Sequence, residues 1–231
     1  MKIIWLGHSG FRIEIGAAVL LIDPWLTGNP MFPPDRAAEA TAGATHVLLT
    51  HGHGDHAGDT VAIARAAGIP VVCGHELSEW LSATHKLQTI GFARGGTVTL
   101  GDVAVTMVAA SHSSSIDFAG ALLPAGSEAG FMIAGEGEVI YVSGDTDIMA
   151  DMEWMADYHK PTIGILSAGG HYTMDMARAA YACRRWFAFR LVIPCHYRTF
   201  PLLAQSAELL VAGVPPGTRV IEPQVMQPIT P

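Results

Sequence analysis

The chain has 231 residues, of which 50% are hydrophobic and only 15% charged, so it can form one large domain or two small ones around a sizeable core. Its formal net charge of −8 argues against loose electrostatic binding to nucleic acid, which normally needs a basic surface. No apolar run approaches the roughly 20 residues of a membrane span, the amino-terminal run is too short for a signal peptide, and the three cysteines form no disulfide framework. We therefore expect a cytoplasmic protein.

Short apolar strands open the chain and lead towards a histidine-rich segment. The pattern predicts strands over residues 2–7, 11–16, 18–22 and 46–49. Prolines break regular structure between the third and fourth strands, and we interpret residues 31–45 as a mobile flap. After the histidine-rich segment, the pattern predicts a helix from about Asp59-Thr60 to Gly68, a strand over 69–73 and a helix over 75–84.

The second half of the chain alternates hairpins, strands and helices. One hairpin is predicted over 97–109 around Gly101-Asp102, and another over 130–143 around Glu136-Gly137. The remaining elements are predicted as a strand at 162–166, a helix at about 173–188, a strand at 190–193, a helix at 202–212 and a strand near 218–221. This order indicates a layered α/β fold with two mixed sheets, formed as a single domain over residues 1–231.

Four side chains that can bind a metal lie within six residues: His51, His53, Asp55 and His56. Imidazole nitrogens and carboxylate oxygens are ligands of zinc, iron and manganese, and so many together in a folded core are costly unless a cation joins them. The segment connects a predicted strand to a predicted helix, where a rigid scaffold commonly presents binding residues. A histidine-rich surface loop is the alternative interpretation.

This segment, Thr50-His51-Gly52-His53-Gly54-Asp55-His56, resembles the signature of the metallo-β-lactamase-fold hydrolases, Thr/Ser-His-X-His-X-Asp-His after a strand. The resemblance implies an α/β fold in which two mixed β-sheets, flanked by helices, form a four-layer αββα sandwich. It also implies further metal ligands at the ends of later strands. His112, Asp145 and His196 each follow an apolar strand and match those ligands.

The resemblance implies two adjacent divalent metal ions in each chain. The implied ligands form one set for each ion and one shared residue: His51, His53 and His112 for the first ion, Asp55, His56 and His196 for the second, and Asp145 as the bridge. Zinc is the first expectation, and manganese or iron would suit the same ligands. Taken singly, His112 could be a polar loop residue, Asp145 a helix or turn cap, and His196 an ordinary core histidine.

Other segments resemble one branch of this superfamily, the metal-dependent hydrolases related to ascorbate-6-phosphate lactonase. The matching segments are Leu6-Gly7-His8-Ser9-Gly10-Phe11, Ile22-Asp23-Pro24-Trp25, Gly28-Asn29-Pro30 and Gly169-Gly170-His171-Tyr172. The opening Trp-Leu-Gly-His is also similar to the phospholipase D that acts on N-acyl phosphatidylethanolamine. An aspartate bridge is typical of relatives that cleave thioesters, lactones and phosphodiesters, which disfavours a true β-lactamase.

Several residues are candidates for roles around the metals. Asp23 ends a strand and is expected to accept a hydrogen bond from a ligand imidazole, although a turn before proline would also explain it. His8 is expected in the core or behind a ligand rather than on the metal. His171 is a candidate to contact substrate or protonate a leaving group, or is a helix-start histidine without a catalytic role. Asp55 is a second catalytic candidate, and Arg198 is a candidate phosphate contact.

These features predict a metal-dependent hydrolase in which a hydroxide at a dinuclear site cleaves a small phosphodiester, lactone or ester. A phosphodiester or phosphorylated lactone ranks first, because a dicationic site attracts anions. The alternatives are a nucleic-acid processing phosphodiesterase, which the charge of −8 disfavours, and a non-hydrolytic metal-binding or redox module on the same fold. The expected partner is a small anionic substrate, and a mean hydropathy of +0.32 suggests a homo-oligomer.

Overall fold

The computed structural model describes residues 1–231, which form two seven-stranded sheets and a separate two-stranded hairpin. The strands of the first half are β1 (Lys2–Gly7), β2 (Gly10–Ile15), β3 (Ala18–Ile22), β4 (His46–Leu48), β5 (Val71–Gly74) and β6 (Thr89–Phe92). The later strands are β7 (Thr97–Leu100), β8 (Val103–Ala109), β9 (Ser115–Phe118), β10 (Ala121–Pro124), β11 (Ala129–Gly135), β12 (Glu138–Val142), β13 (Ile163–Ser167), β14 (Leu191–Cys195), β15 (Arg219–Val220) and β16 (Pro228–Ile229).

Both large sheets contain antiparallel and parallel strands. The first has the order β16-β1-β2-β3-β4-β5-β6 and is parallel from β3 to β6. The second has the order β15-β14-β13-β12-β11-β8-β7 and is parallel from β12 to β15. Hairpin turns connect β1 to β2, β2 to β3, β7 to β8 and β11 to β12, whereas the parallel neighbours need longer crossovers. The predicted metal ligands lie in the segments that follow the carboxyl ends of β4, β8, β12 and β14.

Most of the crossovers contain helices. The helices are α1 (Ala37–Thr41), α2 (Gly54–Ala57), α3 (Thr60–Ala67), α4 (His75–His85), α5 (Met152–His159), α6 (Met176–Arg185) and α7 (Glu208–Gly213), with a 3-10 helix at Pro34–Arg36. None of these helices has the length and apolar character needed to span a membrane. The predicted sandwich of two mixed sheets flanked by helices is confirmed.

The core divides between the two faces of the first sheet. Successive side chains of a strand point to opposite faces, and in β1 the neighbours Trp5 and Leu6 are both fully buried. Trp5 belongs to a cluster of 45 buried residues that spans both sheets. Leu6 belongs to a second cluster of 18, which includes Ile63 of α3 and Leu77 of α4. Burial on both faces explains why these strands are almost uniformly apolar.

Both predicted hairpins form. β7 pairs antiparallel with β8, and β11 pairs antiparallel with β12. The second turn has positive φ angles at Glu136 (52°) and Gly137 (78°), which is the backbone that matches the twist of paired strands. The helix predicted from Thr60 also ends as expected, because Gly68 adopts a left-handed φ of 66° after α3.

Three predictions in the irregular parts of the chain differ from the structure in part. The segment 31–45 was predicted without regular structure but contains α1, and the Arg12 guanidinium donates to the carbonyl oxygens of Ala40 and Ala42; its mobility stays a prediction. The helix predicted at about 173–188 is present as Met176–Arg185, and its first residue is set by Asp175, which caps the helix by accepting from the Arg178 N–H. The helix predicted over 202–212 is reduced to α7. The strands β6, β9, β10 and β16 and the helices α1, α2 and α5 were not predicted.

Candidate metal centre

The seven predicted ligands lie in four segments, each of which follows a strand. The segment after β4 carries His51, His53, Asp55 and His56, the segment after β8 carries His112, the segment after β12 carries Asp145, and the segment after β14 carries His196. These ligands come from both sheets and meet at one edge of the sandwich. Two compact groups result, and a buried carboxylate lies between them.

The first group contains three histidines. His51 Nε2 lies 3.0 Å from His53 Nδ1, and the ring of His112 is 5.3 Å from that of His51 and 5.2 Å from that of His53, measured between centroids. Their potential ligand atoms all lie within 4.8 Å of one another. This is the set that the sequence predicted for the first ion.

The second group contains Asp55, His56 and His196, together with His8 from the end of β1. Asp55 Oδ2 lies 3.8 Å from His196 Nε2 and 3.0 Å from His8 Nε2. His56 and His196 are fully buried, whereas the side chain of Asp55 is 35% exposed. Asp55 therefore forms the side of the group that solvent can reach.

Asp145 lies between the two groups. Its Oδ2 is 3.1 Å from His196 Nε2, 3.3 Å from His56 Nε2 and 3.7 Å from His112 Nε2. The residue is 2% exposed, and Gly144 before it has a φ of 59° that turns the chain inward from β12. One carboxylate thus faces histidines of both groups.

Unsatisfied polar atoms provide a test of whether these residues fit metal ions. His56 Nε2 and Asp145 Oδ1 are buried and have no hydrogen-bond partner. Buried polar atoms in folded proteins are nearly always paired, so each exception needs an explanation. Imidazole nitrogen and carboxylate oxygen are suitable donors for a divalent cation. The residues present therefore fit the metal that the donor set implies.

The charges at the site also favour a cation. Burial alone would raise the pKa of Asp145, but His56 and His196 outweigh burial and hold that pKa well below its usual range. Burial alone would lower the pKa of His56, but Asp145 and Asp23 on either side of it hold the pKa well above its usual value. Two carboxylates thus stabilise positive charge at His56. A bound metal would displace the proton, because imidazole binds metals in its neutral form.

Asp23 holds the ligand segment in place from behind. It is 1% exposed and accepts hydrogen bonds from the Thr50 N–H (2.8 Å) and the Thr50 hydroxyl (2.6 Å). Its Oδ2 also lies 2.8 Å from His56 Nδ1. This contact orients the His56 ring so that Nε2 points towards Asp145.

Three non-glycine residues at the site have left-handed backbone conformations. His8, Asp23 and His196 have φ angles of 51°, 44° and 56° although none is glycine. Such conformations cost roughly 1–3 kcal/mol each and persist only where the surroundings determine them, often at functional sites. The backbone is therefore strained at three positions that converge on one group of ligands.

The sequence did not indicate the partners of His8. His8 Nδ1 lies 2.8 Å from Thr199 Oγ1, and the rings of Trp25 and Phe200 lie 5.4 Å and 5.8 Å from the His8 ring. Trp25 and Phe200 are half-buried and stack on each other at 6.2 Å. The only available signal was the position of Thr199 and Phe200, three and four residues after the last predicted ligand.

Besides Asp23, two other predicted site residues are not part of either group. His171 is exposed, and its ring contacts Tyr172 with 4.6 Å between centroids. The Arg198 guanidinium carbon lies 5.6 Å from the centre of the Tyr197 ring. Their roles towards substrate stay predictions. Cys195 is buried with its sulfur 3.6 Å from Ser167 Oγ, outside both groups.

We expect Gly169→Ala to displace His196 and destabilise the protein. A Cβ atom at Gly169 would overlap the backbone carbonyl oxygen of His196, which cannot move aside as a flexible side chain could. Overpacking of this kind costs about 3 kcal/mol or more when backbone must shift. Urea unfolding measures the loss. Gly54→Ala is the matched control, because a Cβ at Gly54 meets nothing within 4 Å, and an equal loss in both variants would contradict the expectation.

Comparison with known proteins agrees with the fold. Residues 19–197 match the beta-lactamase superfamily domain. A UPF0173 metal-dependent hydrolase of Cereibacter sphaeroides is 67% identical over 229 residues, and one of Paracoccus denitrificans is 66% identical over 229 residues, each match covering 99% of both chains. The solved structure of Igni18, a metallo hydrolase from the hyperthermophilic archaeon Ignicoccus hospitalis, is 30% identical with a TM-score of 0.81 and covers 99% of this chain and 98% of its own.

Two mixed sheets with a histidine- and aspartate-rich centre at their edge define the metallo-β-lactamase fold. The chain belongs to the beta-lactamase superfamily and is a metal-dependent hydrolase.

Proposed function

We propose that the chain is a dinuclear hydrolase that cleaves a small anionic substrate, with a phosphodiester or phosphorylated lactone ranked before an uncharged ester or lactone. The observation that carries this proposal is the position of Asp145, whose Oδ2 lies within 3.7 Å of histidines from both ligand groups. A carboxylate in that position is suited to hold two ions close together. His51, His53 and His112 would hold one ion, and Asp55, His56 and His196 the other.

In this proposal, different residues would bind the ions, orient the attacking water and donate a proton to the leaving group. When bound at such a site, two divalent cations activate water as a nucleophile near neutral pH and polarise the substrate oxygen. Asp23 keeps the His56 ring fixed through its contact with Nδ1. The carboxylate of Asp55, 35% exposed at the mouth of the site, would orient the attacking water. His171 remains a candidate proton donor to the leaving group.

Charge and shape support a small anionic substrate. Two divalent ions exceed the negative charge of Asp55 and Asp145, so the loaded site would carry net positive charge. The half-buried rings of Trp25 and Phe200 lie beside the second group and would pack against an apolar or planar part of the substrate. The whole chain has a charge of −8, which opposes a long nucleic acid far more than a small anion.

Metal content and hydrolysis test the proposal together. We expect protein purified without chelator, or reloaded with zinc or manganese, to bind about two ions per chain. It should hydrolyse bis-p-nitrophenyl phosphate or a member of a lactone panel, lose that activity after chelation and recover it on reloading. Elemental analysis and absorbance assays give both measurements.

The control separates site metal from adventitious metal. His75 is exposed at the start of α4 and distant in sequence from every ligand, so a His75→Ala protein should bind and react like the wild type. One ion or none after reloading, with no turnover on any substrate, would contradict the dinuclear hydrolase. Cleavage of single-stranded RNA in preference to small substrates would favour a nucleic-acid processing enzyme.

A further inference from the structure

We propose that His8 is a direct ligand of the second metal ion, in addition to Asp55, His56 and His196. The inference rests on the dinuclear site of the proposed function and departs from the expectation that His8 lies behind a ligand. His8 Nε2 lies 3.0 Å from Asp55 Oδ2, and the potential ligand atoms of the four residues lie within 4.8 Å of one another. Atoms that share one ion at metal–ligand distances of about 2.1 Å lie roughly 3–3.5 Å apart.

The contacts of Thr199 indicate which His8 nitrogen carries the proton. Its Oγ1 lies 2.8 Å from His8 Nδ1. The proton of the Thr199 hydroxyl has two acceptors of its own, the Tyr197 carbonyl oxygen at 3.3 Å and Met31 Sδ at 3.4 Å. The hydroxyl oxygen is therefore free to accept the Nδ1–H of His8. In the neutral imidazole, Nε2 is then left with a lone pair and no proton.

That lone pair faces a carboxylate. Asp55 Oδ2 is 3.0 Å from His8 Nε2, and two acceptors at this distance repel each other. A divalent cation bound by both His8 Nε2 and Asp55 Oδ2 would remove this repulsion, because each atom would then donate its lone pair to the ion. The other tautomer would donate from Nε2 to Asp55 and make His8 a positioning residue. It would require the Thr199 hydroxyl to give up both of its acceptors and donate to Nδ1 instead.

His8 repeats the arrangement of two histidines in the predicted ligand set. His51 Nδ1 lies 3.0 Å from the Thr50 hydroxyl oxygen, and His56 Nδ1 lies 2.8 Å from Asp23 Oδ2. In both, Nδ1 contacts an oxygen outside the groups and Nε2 points into them. Metal-binding histidines are commonly oriented by such a contact on the ring nitrogen that does not bind the metal.

His8 is held in this position by a backbone conformation that is energetically unfavourable. Its φ is 51°, which is unfavourable for a residue with a side chain. Its carbonyl oxygen accepts from Trp5 Nε1 at 2.8 Å and from the His196 N–H at 3.0 Å. The bond from the His196 N–H ties the end of β1 to the segment that carries His196, and the imidazole rings of His8 and His196 lie 4.0 Å apart. The strain is explained if the ring has to reach the ion that His196 binds.

Two substitutions separate ligation from positioning. In His8→Gln, the amide can still donate a hydrogen bond to Asp55 near the former Nε2, but it is a much poorer zinc ligand than imidazole. In His8→Gly, the backbone strain is relieved and a space is left for added imidazole. The measurement is zinc stoichiometry and affinity by competition with a chelator, with circular dichroism as the check on folding.

We expect the wild type to bind two zinc ions and both variants to bind one tightly, with affinity for the other falling roughly 100-fold or more, beyond the usual effect of an indirect partner. Imidazole should restore the second ion in His8→Gly. His46→Gln is the matched control, because His46 Nδ1 also contacts a threonine hydroxyl at 2.9 Å but lies outside both groups.

Unchanged affinity for two ions in His8→Gln would overturn direct ligation and make His8 a positioning residue. Failure of imidazole to restore the second ion in folded His8→Gly would overturn it as well. Fewer than two ions in the wild type would instead refute the dinuclear site itself, so the two proposals fail by different results.

Discussion

Asp145→Asn should abolish nearly all hydrolysis while leaving the fold intact. Asparagine has the size of aspartate but no negative charge, and the change removes the carboxylate that faces His56, His112 and His196. Partners behind metal ligands typically contribute 10–100-fold to activity or affinity. We expect the loss of a carboxylate between both groups to exceed that range and lower kcat/KM by about 1,000-fold, or roughly 4 kcal/mol of transition-state stabilisation.

The measurement is kcat/KM on the best small substrate, together with the metal content of the same sample. Asp147→Asn is the matched control, because Asp147 lies two residues further along the same segment and its side chain is 47% exposed. That substitution should change kcat/KM little. If Asp145→Asn retains activity within about tenfold of the wild type and two bound ions, the bridging role is wrong.

The ligand groups could be predicted from sequence because their grouping is mostly local. His51 and His53 are two residues apart on one segment after β4, and Asp55 and His56 follow within the next turn. His112, Asp145 and His196 were found because each follows an apolar strand. This pattern can be recognised in the sequence without knowing how far apart the residues lie in space. The family resemblance supplied the expectation of ligands at those positions and their assignment to two ions.

The contacts around the ligands could not be predicted, because they join residues that are far apart in the chain. His8 and Thr199 are separated by 191 positions, and Asp23 and His56 by 33. The packing of the two sheets brings His8 and Thr199 together, and the parallel pairing of β3 with β4 within one sheet brings Asp23 near His56. The Asp23 contact was anticipated from its place at the end of a strand, whereas nothing in the sequence near Thr199 connects it with β1.

The errors in secondary structure have a similar cause. Residues 202–207 contain helix-forming residues, but the Gln205 side chain donates to the backbone carbonyls of Phe200 and Leu203 and so supports a turn in place of a helix. β9 and β10 were not recognised because both faces of β10 are exposed, which leaves no alternation of apolar and polar residues. Propensity and periodicity are weak where tertiary contacts decide the conformation.

Asp23→Ala should lower both stability and metal affinity. The substitution leaves the Thr50 N–H, the Thr50 hydroxyl and His56 Nδ1 buried without their acceptor. An unsatisfied buried donor costs about 1–3 kcal/mol, and the three effects overlap because they share one site, so we expect a loss of about 3–5 kcal/mol in the free energy of unfolding. The freed His56 ring should also weaken metal binding by roughly 10–100-fold.

Asp59→Ala provides an unusually close control for this result. Asp59 also accepts three hydrogen bonds, from the N–H groups of Leu26 and Thr27 and from the Thr27 hydroxyl, but it contacts no imidazole. Its removal should destabilise the half-exposed segment after β3 without changing metal affinity. Urea unfolding of the metal-free proteins and chelator competition of the loaded ones separate the two effects. Equal metal affinity in Asp23→Ala and Asp59→Ala would show that the contact with His56 does not orient a ligand.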